Sequence, residues 1–533
     1  MAKVTIDGQE VDVQDGINVI EAAKAADVHV PHFCYHPSLT VVGQCRMCLV
    51  EIDGMPKLQA GCATAIKDGM KIHVYNEKVD KARKGQMEFL LINHPLDCPI
   101  CDKAGECPLQ DYAFNFGTVT SRYGEAKRTY PGMDRTAIGP HVLQNMNRCI
   151  HCTRCIRFCQ EITETGELGF FKRGAATEVG VFPGTPLDNW MSACVTDLCP
   201  TGALTTREFR FESRVWNLET TESVCNGCDV GCNIFIEHRS GKIFRYKPRL
   251  NPEVNDFWLC DYGRFSHERY ETDRVVVPKV LRDDYLGVSN WTEALDFIAE
   301  RFAAASGQNI AFIASAELTN EEGFLLKRLI DATNAGSVDA HVDSIEPIRM
   351  KSRTEWIKGT QAGPNLRGLH NAGITTKGRS AEQLMTDGAE GIDILYIANA
   401  NFSSRTSDPA VIANLRKAKT LIVHAWENHP LAEVADVVLP STIFAEKEGT
   451  YTNLQGRVQK INQAYPPKGE ALPDWEIFRR VGARLSPSSN DFAFRDFDGL
   501  FSNMREQTPS FQTLDWSEVE TFGAVAASGP MQP

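Results

Sequence analysis

Seventeen cysteines stand in this 533-residue chain, and every one lies at or before Cys260. The first residues, MAKVTIDGQEVDV, alternate like a strand and show neither a basic head before an apolar core nor an Arg/Ser-rich presequence. With no export segment read there, the reference compartment is a reducing cytosol, where disulfides do not persist. Cysteines grouped at two- and three-residue intervals in such a chain read as metal ligands or redox centres. They fall into four groups, and the composition shift near Arg274 separates a metal-rich N-terminal half from a cysteine-free C-terminal half.

The first group is Cys34, Cys45, Cys48 and Cys62. It follows a hairpin pattern (Lys3–Ile6, turn Asp7-Gly8, Glu10–Val13) and a helix pattern (Val19–Ala26), together a β-grasp start. Two cysteines two residues apart, with one before and one after on separate loops, is the general arrangement of a [2Fe–2S] ferredoxin. The plant-type spacing leaves four residues between its first two ligands, whereas ten intervene here, so the fit is to the wider class. Gly43 and Gly61 sit beside these cysteines, where a loop must wrap closely. A four-thiolate structural zinc site uses the same residue types. The second group is His94-x3-Cys98-x2-Cys101-x5-Cys107. A cubane cluster needs four ligands and no spare cysteine is near, which makes His94 the candidate fourth; the alternative is an ordinary loop histidine before Pro95. An imidazole in place of a thiolate makes a cluster less negative, as in Rieske centres.

The third group is Cys149-x2-Cys152-x2-Cys155-x3-Cys159, with Cys194 and Cys199-Pro200 further on. In the bacterial ferredoxin run C-x2-C-x2-C-x3-C-P the fourth cysteine serves another cluster. The first three with Cys199 therefore make one complete [4Fe–4S] set. Cys194 is out of register for a second, leaving Cys159 and Cys194 as remnants or small buried residues. Arg148, Arg154 and Arg157 interleave with this run; they either offset the negative charge of a thiolate-bound cluster or form a solvated helix face. The fourth group is Cys225-x2-Cys228-x3-Cys232 with Cys260 after 27 residues, between which a hairpin (Ile234–His238, turn Ser240-Gly241, Ile243–Lys247) brings the last cysteine back. Four complete four-ligand sets then use fifteen of the seventeen cysteines and His94.

These sets, in this order, resemble the large iron–sulfur subunit of bacterial respiratory complex I, the NADH–quinone oxidoreductase. The matching stretches are HFCYHPSLTVVGQCRMCLVEIDG, INHPLDCPICDKAGECPLQDYAF, NRCIHCTRCIRFC with DLCPTGAL, and CNGCDVGCN with LCDYGR. The resemblance implies one [2Fe–2S] cluster on Cys34, Cys45, Cys48 and Cys62, and [4Fe–4S] clusters on His94, Cys98, Cys101 and Cys107 and on Cys149, Cys152, Cys155 and Cys199. A third [4Fe–4S] on Cys225, Cys228, Cys232 and Cys260 is implied off the main electron path, and Cys159 and Cys194 have no ligand role in that family. The implied domains are a [2Fe–2S] ferredoxin-type β-grasp over 1–78, a His-Cys and [4Fe–4S] ferredoxin-like region over 79–216, and a [4Fe–4S] domain over 217–273. The segment HPLAEVADVVLPSTIFAEKEGTYTNLQGRVQ resembles the molybdopterin oxidoreductase superfamily and implies such an α/β domain over 274–533.

Read from its residues, that C-terminal half alternates strand and helix: Ile310–Ala314, Glu321–Ala332, Ile392–Ala398, Ala410–Ala418, Thr420–His424. Such alternation predicts a parallel sheet covered by helices, with Ala435–Pro440 and Glu446–Asn453 as part of its packing. No Gly-rich or Walker-type loop follows a strand, which gives it no nucleotide site. The chain is short for the family, and its tail from Ala524 reads as disordered. The implied function is electron transfer with no catalytic residue on this chain. A flavin- and NADH-binding subunit and other hydrophilic-arm subunits are the implied partners, at the cytoplasmic face of a bacterial inner membrane. The alternative is a molybdenum enzyme such as a formate dehydrogenase. Such an enzyme needs a Cys, selenocysteine or Ser metal ligand in the C-terminal half. This chain has no cysteine after Cys260 and carries Tyr262 where those enzymes usually have lysine, which leaves a serine as the open ligand, and no molybdopterin is expected. A net charge of −13 argues against nucleic acid or an anionic bilayer as main partner. No apolar run is long enough for membrane insertion.

Overall fold

Ala2, Val4 and Ile6 are buried while their neighbours face outward, which sets the first strand, Ala2–Ile6, with one face inward. Asp7 and Gly8, with φ of 45° and 86°, turn the chain into Gln9–Val13, which pairs antiparallel with the first strand. The Asn18 side chain accepts from the Glu21 N–H and starts the helix Val19–Ala25. Lys71–His73 joins Ala2–Ile6 in parallel, and Leu49–Ile52 and Gln59–Ala60 complete a five-stranded sheet. This is the expected β-grasp. The computed structural model describes residues 1–352, 355–399 and 403–526. The chain divides into two compact units between Leu218 and Glu219, so the composition break near Arg274 falls inside the second.

The rest of the first unit is made of short elements that hold loops. Helices Glu77–Leu91 and Pro108–Phe116 pack against each other around Phe33, Met47, Met87 and Leu109. Strands Leu204–Thr206, Val142–Gln144 and Thr136–Ala137 form a small antiparallel sheet, and helices Arg154–Glu161 and Cys194–Leu198 lie against one another.

In the second unit Glu219–Val224, Asn233–Arg239 and Lys242–Pro248 form an antiparallel meander that contains the expected hairpin. A seven-stranded sheet follows. Ser337–His341, Ile310–Ser315, Ile394–Ala398, Thr420–Ala425 and Val437–Pro440 pair in parallel, and the hairpin Lys279–Arg282 with Tyr285–Val288 adds an antiparallel edge. Alternate residues of one strand serve two cores: Ile310, Phe312 and Ala314 on one face, Ala311 and Ile313 on the other. Double-sided burial explains why these strands are apolar runs rather than alternating ones. Gly449–Thr452, within the segment expected to pack with the parallel sheet, pairs antiparallel with Arg457–Ile461 in a separate small sheet and contacts the helix Asn320–Thr333. One expectation needs correction. The tail is not disordered from Ala524: Ala524–Val525 is the third strand of that small sheet and Ala526 N–H donates to Gly456 O, while residues 527–533 lie outside the described ones.

Beside the parallel sheet lies a buried chain of ionisable groups. Lys447 Nζ donates to both oxygens of Glu322 (2.9 and 2.7 Å) and lies 3.5 Å from Asp474 Oδ2. Asp474 Oδ1 is 2.7 Å from His424 Nδ1, whose Nε2 is 2.6 Å from the Tyr396 hydroxyl. All five side chains are buried. Glu322 also closes a capping box with Thr319, so the network is tied to the start of the helix Asn320–Thr333.

Candidate metal centres

The four cysteines of the first group converge around the loop 34–48. Cys34, Cys48 and Cys62 are buried, and Cys34 N–H points to Cys45 Sγ at 3.5 Å. Hydrogen bonds among the thiols, Cys45 and Cys62 to Cys34 and Cys62 to Cys48, hold Cys34 and Cys48 low and leave Cys45 and Cys62 high. Gly61 closes the site from behind: its N–H donates to Cys48 O at 2.9 Å, and a Cβ there would come within 3.1 Å of that oxygen.

His94, Cys98 and Cys107 line one cavity of about 610 Å³, while Cys101 is not among its lining residues. Cys101 instead faces Gly202, where a Cβ would sit 2.2 Å from its Sγ. Burial, with the Arg148 charge near, lowers the His94 pKa to about 4, so the ring is neutral at pH 7. Its Nδ1 is buried without a hydrogen-bond partner. A buried, neutral, unpartnered imidazole nitrogen costs free energy in a purely structural role and is the form that binds a metal. Burial also raises the thiols of Cys101 and Cys107, the latter to about 11. Buried thiols remain protonated unless a metal cation favours the thiolate.

Cys149, Cys152, Cys155 and Cys199 line one small cavity with Gln144, Pro200 and Thr201, and no other cysteine shares it. The run can curl around that cavity because His151 and Thr153 take the left-handed conformation, with φ of 54° and 65°. Burial raises all of Cys149, Cys152 and Cys155. Cys159 and Cys194 lie apart from the cavity, fully buried in their two packed helices, with Glu167 beside Cys159. Cys159→Ala and Cys194→Ala are therefore expected to keep every cluster signal and cost on the order of 1 kcal/mol each in denaturant unfolding.

The arginines of this run are not a solvated face. Arg148 and Arg157 are buried and Arg154 half-buried. Arg148 pairs with Asp97 at 2.9 Å, three residues from His94.

In the second unit Cys225, Cys228, Cys232 and Cys260 are all buried. A Cβ on Gly263 would lie 2.9 Å from Cys225 Sγ and 3.4 Å from Cys260 Sγ, so the hairpin does return Cys260 to the first three. The half-exposed Tyr262 stands beside Gly227. The Cys228–Cys232 turn is clasped from far along the chain. Asn453 Nδ2 donates to Val230 O at 2.9 Å, Gln459 Nε2 to Gly231 O at 2.9 Å, and Leu454 N–H to Asp229 O at 2.9 Å. Reading the sequence did not find this clasp, since no spacing rule links residues more than 220 positions apart.

The third set is spread around a cavity, and at the fourth Gly263 lies too close to the Cys225 thiol to carry a side chain. Together with the thiol chemistry and the orphan His94 nitrogen, this arrangement fits iron–sulfur clusters.

Fold and donor sets define an iron–sulfur electron-transfer protein of ferredoxin type fused to a molybdopterin-oxidoreductase-like α/β domain. Family models match in the same order: a 2Fe-2S iron-sulfur cluster binding domain (1–77), the NADH-ubiquinone oxidoreductase-G iron-sulfur binding region (83–122), the ferredoxin-like domain of NADH-quinone oxidoreductase subunit 3 (139–205), an NDSU1/NuoG-like 4Fe-4S domain (218–268) and molybdopterin oxidoreductase (343–484). The G-type subunit of the NADH-quinone oxidoreductase of Rickettsia felis is 43% identical, with 91% of this chain and 88% of the relative covered. The mitochondrial NADH-ubiquinone oxidoreductase 78 kDa subunit of Candida albicans is 31% identical over 91% of this chain and 82% of its own. A chain in the crystal structure of an NAD+-reducing [NiFe]-hydrogenase is 28% identical over 40% of this chain and 91% of that one; at a TM-score of 0.36 it adds nothing to the assignment. The chain belongs to the family of G-type subunits of NADH–quinone oxidoreductase, the iron–sulfur electron-transfer subunits of that oxidoreductase complex.

Proposed function

We propose that the chain holds four clusters, each on one of the sets above. Cys34, Cys45, Cys48 and Cys62 hold a [2Fe–2S] cluster. His94 with Cys98, Cys101 and Cys107, Cys149 with Cys152, Cys155 and Cys199, and Cys225 with Cys228, Cys232 and Cys260 each hold a [4Fe–4S] cluster, the last off the main path. Bound there, the clusters supply one-electron transfer, so that the chain conducts electrons from the NADH-reduced flavin of a partner subunit towards quinone, in a complex that couples the reaction to proton translocation. The chain's own residues bury the thiols, exclude water, keep His94 neutral and place cations beside the anionic sets. The observation that carries this reading is the cavity lined by Cys149, Cys152, Cys155 and Cys199 and by no other cysteine.

The domains follow the sets: 1–78, 79–216, 217–273 and 274–533. The last carries no molybdopterin, as it has no cysteine and Tyr262 replaces the usual lysine; fold alone does not carry function. Among the described residues no helix is long and apolar enough to cross a membrane. We place the chain peripherally, at the cytoplasmic face of a bacterial inner membrane, held by the flavin-bearing and other hydrophilic subunits. Metal analysis of anaerobically purified protein tests the reading: about fourteen irons per chain are expected, with molybdenum and tungsten absent. Zinc near one per set would overturn it, as would stoichiometric molybdenum with formate-dependent reduction.

A further inference from the structure

Helix Arg154–Glu161 begins within the Cys149–Cys155 run and turns two arginines onto the loop that carries Cys34. Arg157 is 4% exposed, and every nitrogen of its guanidinium donates. Nε reaches Thr153 Oγ1 at 3.2 Å and Nη1 reaches Thr40 O. Nη2 reaches Cys34 O at 2.5 Å and Cys152 O at 3.4 Å. One nitrogen thus joins the backbone of a cysteine in the first set to that of a cysteine in the third. Arg154 makes a parallel link: Nη2 donates to Tyr35 O, next to Cys34, and Nη1 to Leu198 O at 3.4 Å, next to Cys199.

Neither side chain forms a direct ion pair, and the Glu161 carboxylate one turn along accepts instead from the N–H and Oγ1 of Thr40, whose carbonyl accepts from Arg157. Arg148, earlier in the run, has Asp97. Among the described residues neither Arg154 nor Arg157 has a carboxylate within 4.0 Å; their partners are carbonyls and one hydroxyl. An unpaired buried cation costs several kcal/mol, and carbonyl dipoles offset only part of it. What stands on either side of the pair is four thiols of one set and four of another. Thiolate-ligated clusters there would supply the missing negative charge, and each would gain one more on reduction.

We propose that Arg157, with Arg154 beside it, is a positioning residue shared by two centres: it locks the Cys34 and Cys152 backbones to each other and raises the reduction potentials of both the two-iron centre and the Cys149-set centre. This rests on the cluster assignment made above. A fixed cation favours the more negative, reduced state of each neighbour, so both potentials move together.

The test is a redox titration of the full iron-loaded chain, followed by low-temperature electron paramagnetic resonance, for Arg157→Gln, Arg157→Lys and Arg154→Gln. Arg157→Gln is expected to shift both reduction equilibria against reduction at least tenfold, which is 59 mV for a one-electron couple. Arg157→Lys keeps the charge and is expected to recover most of that shift, which a purely structural role would not predict. Arg154→Gln is expected to lower the same two potentials, and decides the matter should Gln at 157 block cluster assembly. Unchanged potentials, a shift in one centre alone, or a Lys variant shifted as far as the Gln variant would overturn the proposal. A wild-type chain lacking either signal would instead overturn the cluster assignment, so the two failures are distinct.

Discussion

Cys199→Ala is expected to remove one entire four-iron centre, lowering the iron content from about fourteen to about ten per chain and erasing one paramagnetic signal. Cys199 ends the helix Cys194–Leu198 and faces the cavity shared with Cys149, Cys152 and Cys155. Those elements are short: an eight-residue helix, a five-residue helix and two- and three-residue strands. So little regular structure leaves the fold of this region dependent on what the cysteines bind, and loss of the centre is expected to reduce soluble yield as well. Cys194→Ala is the matched control, a buried cysteine five positions away and off the cavity. Equal damage from the two substitutions would mean that the ligand is misassigned.

Lys447→Met is expected to destabilise the second unit by about 3–5 kcal/mol, the cost of leaving buried carboxylates without their counter-charge. Lys447 is 2% exposed and holds Glu322 through both oxygens, with Asp474 at 3.5 Å. Burial already raises the Glu322 pKa above its ordinary 4.5, and the lysine is what opposes that rise. Without it the folded pKa climbs further. A carboxyl whose folded pKa exceeds its unfolded one loses stability as pH rises through the folded value, and the loss is absent below the unfolded value. The penalty of the substitution is therefore expected to be largest at neutral pH and to shrink towards pH 4.5. Adding Glu322→Gln should restore part of the stability at pH 7. Urea unfolding of the iron-loaded chain, followed by tryptophan fluorescence at both pH values, gives the measurement. A pH-independent loss under 1 kcal/mol would show that the network carries no net charge burden.

How much of this was visible in the sequence depends on distance along the chain. The two hairpins and the helix after the first were legible because turn residues and periodicity act within a few positions, as at Asp7-Gly8 and Ser240-Gly241. The parallel strands were legible as apolar runs, since both faces are covered. The assignment of Cys199 rather than Cys194 rested on register, and the cavity lining follows the same register. What stayed hidden was set by long-range packing. Arg154 and Arg157 are spaced like an ordinary solvated stripe, yet both reach carbonyls of the loop 34–48, more than a hundred residues earlier. Glu446–Asn453 was expected only as packing of the parallel sheet, and its own antiparallel pairing with Arg457–Ile461 was not foreseen. The ordered Ala524–Val525 edge follows from the same small sheet, whose open side no local signal announces.

The clasp on the Cys228–Cys232 turn has a consequence for the order in which the protein is made. Every group in the first three sets is translated before residue 200, and neighbours such as Gly202 and Arg214 beside Cys101 follow closely. The fourth set has its cysteines by position 260, yet the Asn453 amide that holds its turn is encoded 223 residues after Val230. Counted from Cys260, the 193 residues to Asn453 take roughly 10–40 s at ~5–20 residues per second on the ribosome. During that interval four thiols are present with an unfastened turn, free to take up whichever metal arrives. On the cluster assignment proposed above, the fourth set is therefore the one whose loading depends on synthesis of the C-terminal half, which contains none of its cysteines.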